Sequence, residues 1–151
     1  MIAVDTHVLC FAHRGETAQH AAAAACVAEL GQSGARWGIP SPCVAEFLRV
    51  ATHPKVLVPP STPAQAVGYL DGLFDAGNAR LLGPGDSWWR YLRSLVLAGR
   101  AASNRVFDAQ IAAVCLDQGV SVLITEDSDF GRFPLLRTAR LDGGEWRKWV
   151  T

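Results

Sequence analysis

The stretch from Asn104 to Asp129 limits the possible folds more than any other part of the chain. Val106 to Leu116 is apolar nearly all round a helix and stops at Gly119. The unbroken apolar run Val120 to Ile124 follows, and then the acidic Thr125-Glu126-Asp127-Ser128-Asp129. A helix without a polar face is buried, and a continuous β-branched run without alternation is a strand covered on both faces, as in a parallel sheet. A strand covered on both faces needs helices above and below it. The predicted fold class is therefore α/β, a three-layer α/β/α sandwich around a central, mostly parallel sheet.

The rest of the sequence repeats this alternation. Ile2-Ala3-Val4 is a short apolar strand ending at Asp5, a loop follows, and the alanine-rich Thr17 to about Leu30 is helical by propensity and closed by Gly31 and Gly34. Trp37-Gly38-Ile39 reads as a second strand. Ser41 is expected to cap a helix that starts at Pro42 and runs towards Thr52, before His53-Pro54. Pro59 to Pro63 is a connector, Ala64 to about Phe74 a helix, and Ala79 to Leu82 a strand cut off by Gly83-Pro84-Gly85. Asp86 or Ser87 is expected to cap the next helix, and Asn104 to open one that runs to about Gln118.

At 151 residues and 50% hydrophobic, the chain has the size and core content of one domain, 1–151. Its 14 basic and 14 acidic residues cancel, so no overall positive field holds a nucleic acid and any such contact must be local. Lys55 and Lys148 are the only lysines. The arginines favour forked contacts to phosphate or carboxylate, with Arg90, Arg93, Arg100 and Arg105 as candidates for a nucleic-acid backbone beside the plain alternative of a solvated face. Asp5 does not suit a secretory signal peptide, and the apolar stretch around Ala21 to Ala28 is far short of the roughly 20 residues of a membrane span, so residence in the cytoplasm is expected. Cys10, Cys26, Cys43 and Cys115 lack C-x-x-C spacing and read as reduced core residues. His7-x-x-Cys10-x-x-His13 lacks the fourth ligand of a structural zinc, and His20 and His53 read as surface residues.

Chemistry points to the acids. Asp5 ends the first strand, and Glu126, Asp127 and Asp129 follow the last strong one; in open α/β sheets ligands bind beyond the carboxyl ends of the strands, so the two acidic groups are expected to meet in one crevice. Carboxylates so placed suit hard cations such as Mg²⁺ or Mn²⁺. Asp108 has two readings: a carboxylate in a buried helix that a cation would stabilise, or a first-turn acid complementing the helix dipole. Glu46 projects away from the stripe of Val44, Phe47, Leu48 and Ala51, and by periodicity alone it is a solvated partner of Arg49. Thr-Glu-Asp-Ser-Asp is also ordinary loop and cap chemistry.

Taken together, Asp5-Thr6 after a first strand, Val44-Ala45-Glu46-Phe47 on a helix, Asp108-Ala109 heading an alanine-rich helix, and Leu123 to Phe130 with its T-x-D-x-D-F pattern resemble a PIN domain of the VapC toxin type. The resemblance spans nearly the whole chain. It implies that Asp5, Glu46, Asp108 and Asp127 are catalytic, with Asp5, Asp108, Asp127 and Asp129 around Mg²⁺ or Mn²⁺, and with Thr6, Asn104 and Thr125 in support. It also implies an endoribonuclease that hydrolyses RNA without a protein nucleophile, neutralised by a small antitoxin and homodimeric through the helices at 64–74 and 86–98, which include Trp88, Trp89 and Tyr91. Phe107 departs from the pattern where many such proteins carry histidine. A housekeeping RNA-processing nuclease and a scaffold that binds RNA or protein without cutting share the fold, and the lack of an extra domain favours the toxin. A haloacid-dehalogenase-like phosphatase needs a second aspartate where His7 stands, and neither phosphate-binding glycine motif is present.

Overall fold

The structure, a computed structural model, describes residues 1–150; Thr151, the last residue of the expected domain, lies outside the described residues. Five parallel strands form one sheet in the order β3-β2-β1-β4-β5, with β1 Ile2–Val4, β2 Trp37–Pro40, β3 Arg80–Leu82, β4 Val122–Ile124 and β5 Thr138–Ala139. Every residue of β1, β2 and β4 is buried, as a sheet between two helical layers requires. The α/β prediction is borne out, and the sheet is parallel throughout. From β1 the chain steps outwards through β2 to β3, then returns to lay β4 on the other side of β1. The strand order therefore reverses between β1 and β4, which opens a crevice at their carboxyl ends.

The helices are α1 Thr6–His13, α2 His20–Gln32, α3 Ser41–Ala51, α4 Pro63–Asp75, α5 Trp88–Ala98 and α6 Arg105–Asp117. Helix α1 is absent from the sequence reading, which has a loop there. Asp5 starts it by accepting a hydrogen bond from the Thr6 backbone N–H at 2.7 Å, and Val8, Leu9 and Cys10 bury its inner face. Helix α2 consequently starts at His20 instead of Thr17, whose hydroxyl donates to the Arg14 carbonyl in the intervening turn. Ser41 is the first residue of α3 and not its cap: Pro40 takes that position, so β2 runs directly into the helix. A full capping box of Thr62 and Gln65 starts α4 at Pro63, one residue before the expected Ala64.

Neither Asp86 nor Ser87 caps α5 through its side chain. Asp117, at the far end of α6, accepts hydrogen bonds from the Gly85 and Ser87 backbone N–H groups instead. Asn104 sits at the N-cap of α6 with helical backbone angles and makes no capping bond. Strand β4 is shorter than the apolar run because Val120 still donates to the Cys115 carbonyl, closing α6. Strand β5 and the 3-10 segments Ser128–Arg132 and Asp142–Trp149 are not part of the sequence reading. All four cysteines are free and buried, as expected.

Candidate active site

Asp5 leaves β1 at the reversal point and is 3% exposed, yet both of its oxygens are bonded. Oδ1 accepts from the Thr6 backbone, with the Cys43 thiol at 3.6 Å, and Oδ2 accepts from the Thr125 hydroxyl at 2.7 Å. The two threonines extend this arrangement to the neighbouring acids. Thr6 Oγ1 donates to Glu46 Oε2 at 2.8 Å, while Thr125 Oγ1 accepts from the Asp127 backbone N–H at 3.0 Å. Asp127 Oδ1 in turn accepts from the Asp129 backbone at 2.8 Å, which fixes the short Ser128–Arg132 turn. One continuous network therefore links α3, α1, β1 and the segment after β4.

Asp108, Asp127 and Asp129 each present one carboxylate oxygen, and these oxygens all lie within 4.8 Å of one another. Asp5 lies outside this trio. Burial, and then the charges of Asp127, Asp5, Asp129 and Glu46, raise the Asp108 carboxyl to about 6. Both readings of Asp108 contain part of the answer, since it lies in the first turn of α6 and its environment still penalises the charge. Glu46 likewise keeps Arg49 as a partner, at 3.7 Å, while Thr6 holds its other oxygen.

The trio opens into a groove of about 810 Å³ between α3, which contributes Pro42, Ala45, Glu46 and Arg49, and α6, which contributes Asn104, Phe107, Gln110 and Ile111. Among the four candidate arginines only Arg105 is paired with a site acid, lying 3.6 Å from Asp129. Glu126 takes no part: it accepts from Arg140 at 2.8 Å and from the Leu141 backbone at 2.7 Å, tying the C-terminal segment to β4. His7 belongs near the site although the sequence reading leaves it aside. Its Nδ1 is 3.8 Å from Asp5 Oδ2, and that carboxylate raises its pKa against the effect of burial. The signal for it was the start of α1 at Thr6, which puts position 7 in the first turn beside the capping acid. His13 turns elsewhere, to the Ser61 hydroxyl at 2.9 Å, so the His7-Cys10-His13 spacing gathers no site.

Comparison with known proteins agrees with this geometry. A family model described as PIN domain matches residues 2–136. Ribonuclease VapC43 of Mycobacterium tuberculosis is 34% identical over 144 residues, covering 95% of this chain and 97% of that one. Among solved structures, VapBC2 from Rickettsia felis, bound to a DNA fragment from its promoter, superposes with a TM-score of 0.68 at 18% identity, over 93% of this chain and 98% of that one. VapC20 of M. tuberculosis, described as a toxin cleaving the sarcin-ricin loop, superposes with a TM-score of 0.65 at 15% identity, over 87% and 93%.

Proposed function

The chain belongs to the PIN-domain family, and from that premise we propose that it is a metal-dependent endoribonuclease acting as the toxin of a toxin–antitoxin pair. The observation that carries this is the trio of carboxylate oxygens within 4.8 Å at the reversal of strand order. Three acids this close, one of them raised to about 6 by burial and its neighbours, are stabilised by a divalent cation. An all-oxygen donor set suits Mg²⁺ or Mn²⁺ over softer metals. Asp108, Asp127 and Asp129 would hold the ion, with Asp5 contributing charge from behind. When bound, the ion lowers the pKa of a water and neutralises charge on the phosphodiester.

The protein's own groups do the positioning. Thr125 and the Thr6 backbone hold Asp5 in one orientation, and the Thr6 hydroxyl holds Glu46 at the rim, where its second oxygen can orient the attacking water. Arg49 and Arg105, now paired with Glu46 and Asp129, are placed to turn to the RNA backbone once the acids are neutralised. The expected antitoxin fills the same groove with an arginine facing the acids. Helix α5 presents Trp89, 63% exposed, and Leu97, 64% exposed, as the face for a homodimer. Among the described residues no helix is long and apolar enough to cross a membrane. The proposed action on RNA places the protein in the cytoplasm.

Melting curves with and without Mn²⁺ test the site. The wild type should gain stability on adding the ion, and Asp108→Asn and Asp127→Asn should gain little. An equal gain in all three would put the ion elsewhere. Expression of the chain alone should arrest growth and co-expression of its antitoxin should relieve the arrest; unimpeded growth with folded protein would refute the toxin role.

A further inference from the structure

One wall of the groove carries groups that the cleavage chemistry leaves unused. Asn104, Phe107 and Gln110 follow one another at three-residue steps, and Asn104 already has helical backbone angles, so the three lie along one face of α6. Phe107 is 64% exposed, although the same helix buries Ala109, Ile111, Ala112 and Ala113 in the core. Most of its ring is therefore left out of the packing of this chain. Asn104 makes no capping bond, and among the described residues neither carboxamide is tied to another side chain. The α3 wall of the same groove carries the small Pro42 and Ala45 beside Glu46 and Arg49, and the groove, at about 810 Å³, has room for a flat group.

An open aromatic face between two free carboxamides has a specific chemistry. The ring can stack an unpaired base, and each amide offers a donor and an acceptor that match the edge of a base. Because Phe107 adjoins Asp108 in the chain, a base stacked there belongs to a nucleotide beside the cut. We propose that Asn104, Phe107 and Gln110 form a nucleobase subsite that holds the unpaired base flanking the scissile phosphate and thereby selects the sequence cleaved. The subsite rests on the endoribonuclease reading above. It requires single-stranded RNA, since bases in an A-form duplex cannot reach the ring.

The test is cleavage of a pool of single-stranded RNA oligonucleotides of randomised sequence with Mg²⁺, the products being sequenced, followed by kinetics on one preferred oligonucleotide. Phe107→Ala should raise KM about ten-fold with a much smaller change in kcat, as loss of a base stack predicts. Phe107→Leu, which keeps apolar bulk without a π face, should behave like the alanine variant, and Phe107→Tyr should restore the wild-type KM. Asn104→Ala and Gln110→Ala should flatten the base preference next to the cut. A wild type that cuts no RNA overturns both this subsite and the function it rests on. A wild type that cuts, with KM and base preference unchanged in these variants, overturns the subsite alone. Unchanged cleavage combined with weakened inhibition by the antitoxin would also overturn it, and would assign the ring to a protein contact.

Discussion

Burial and four neighbouring carboxylates raise Asp108 to about 6, whereas in the unfolded chain it titrates in the ordinary aspartate range. Between those values the folded state binds the proton more tightly. The stability this residue contributes is therefore full below the ordinary range and lost as pH rises through about 6. In chelator at neutral pH, Asp108→Asn should melt above the wild type, with the gap closing towards about pH 4. Parallel pH dependence of the two melting temperatures would contradict this. Thr125→Val should leave a buried oxygen of Asp5 without its donor and the Asp127 backbone N–H without its acceptor, cost about 1–3 kcal/mol in denaturant unfolding, and, through Asp127, weaken metal binding about 10–100-fold. The carboxylates themselves were legible in the sequence because their positions after strands and on helices are regular. The hydrogen bonds that unite them were not, since Thr6 to Glu46 spans 40 positions and Thr125 to Asp5 spans 120.

At the scale of elements, β2 and β3 depend on the absence of a side chain at one position. A Cβ on Gly38 would lie 2.5 Å from the Arg80 carbonyl oxygen and 2.8 Å from Leu82 Cγ, so Gly38→Ala should force the strands apart and cost about 1–3 kcal/mol. An unchanged melting temperature would contradict the register of these strands. Strands β1, β2 and β4 and helices α3 and α6 were readable because apolar runs and period 3.6 signal burial directly. Helix α1 was not: its eight residues are short for a periodic signal, and its start depends on Asp5, which the eye assigns to chemistry. Asp5 serves both purposes, as cap of α1 and as the buried acid at the site. The capping of α5 was equally opaque, because the group that satisfies the Gly85 and Ser87 backbone comes from Asp117, 30 residues or more along the chain.

For the whole molecule, the zero net charge and the acidic groove predict, on the proposed reading, that RNA binds more tightly once a cation neutralises the site and that the rim arginines act locally. Trp88 and Tyr91 turn partly inwards on α5, which leaves Trp89 and Leu97, with Val67 on α4, as the exposed apolar groups of the expected dimer helices, and light scattering at micromolar concentration should give twice the chain mass, reverting to one on Trp89→Ser. A monomer in the wild type would remove that face from the account. The central claim is that the acids at the strand-order reversal cut RNA through a bound divalent ion. Its most direct test is cleavage of single-stranded RNA by the wild type, Asp5→Asn and Asp108→Asn, each with Mg²⁺ or Mn²⁺ and with chelator. The account predicts cleavage by the wild type that needs the ion and vanishes with chelator, and none by either folded variant. Cleavage at the wild-type rate by both variants, or by the wild type in chelator, would contradict it.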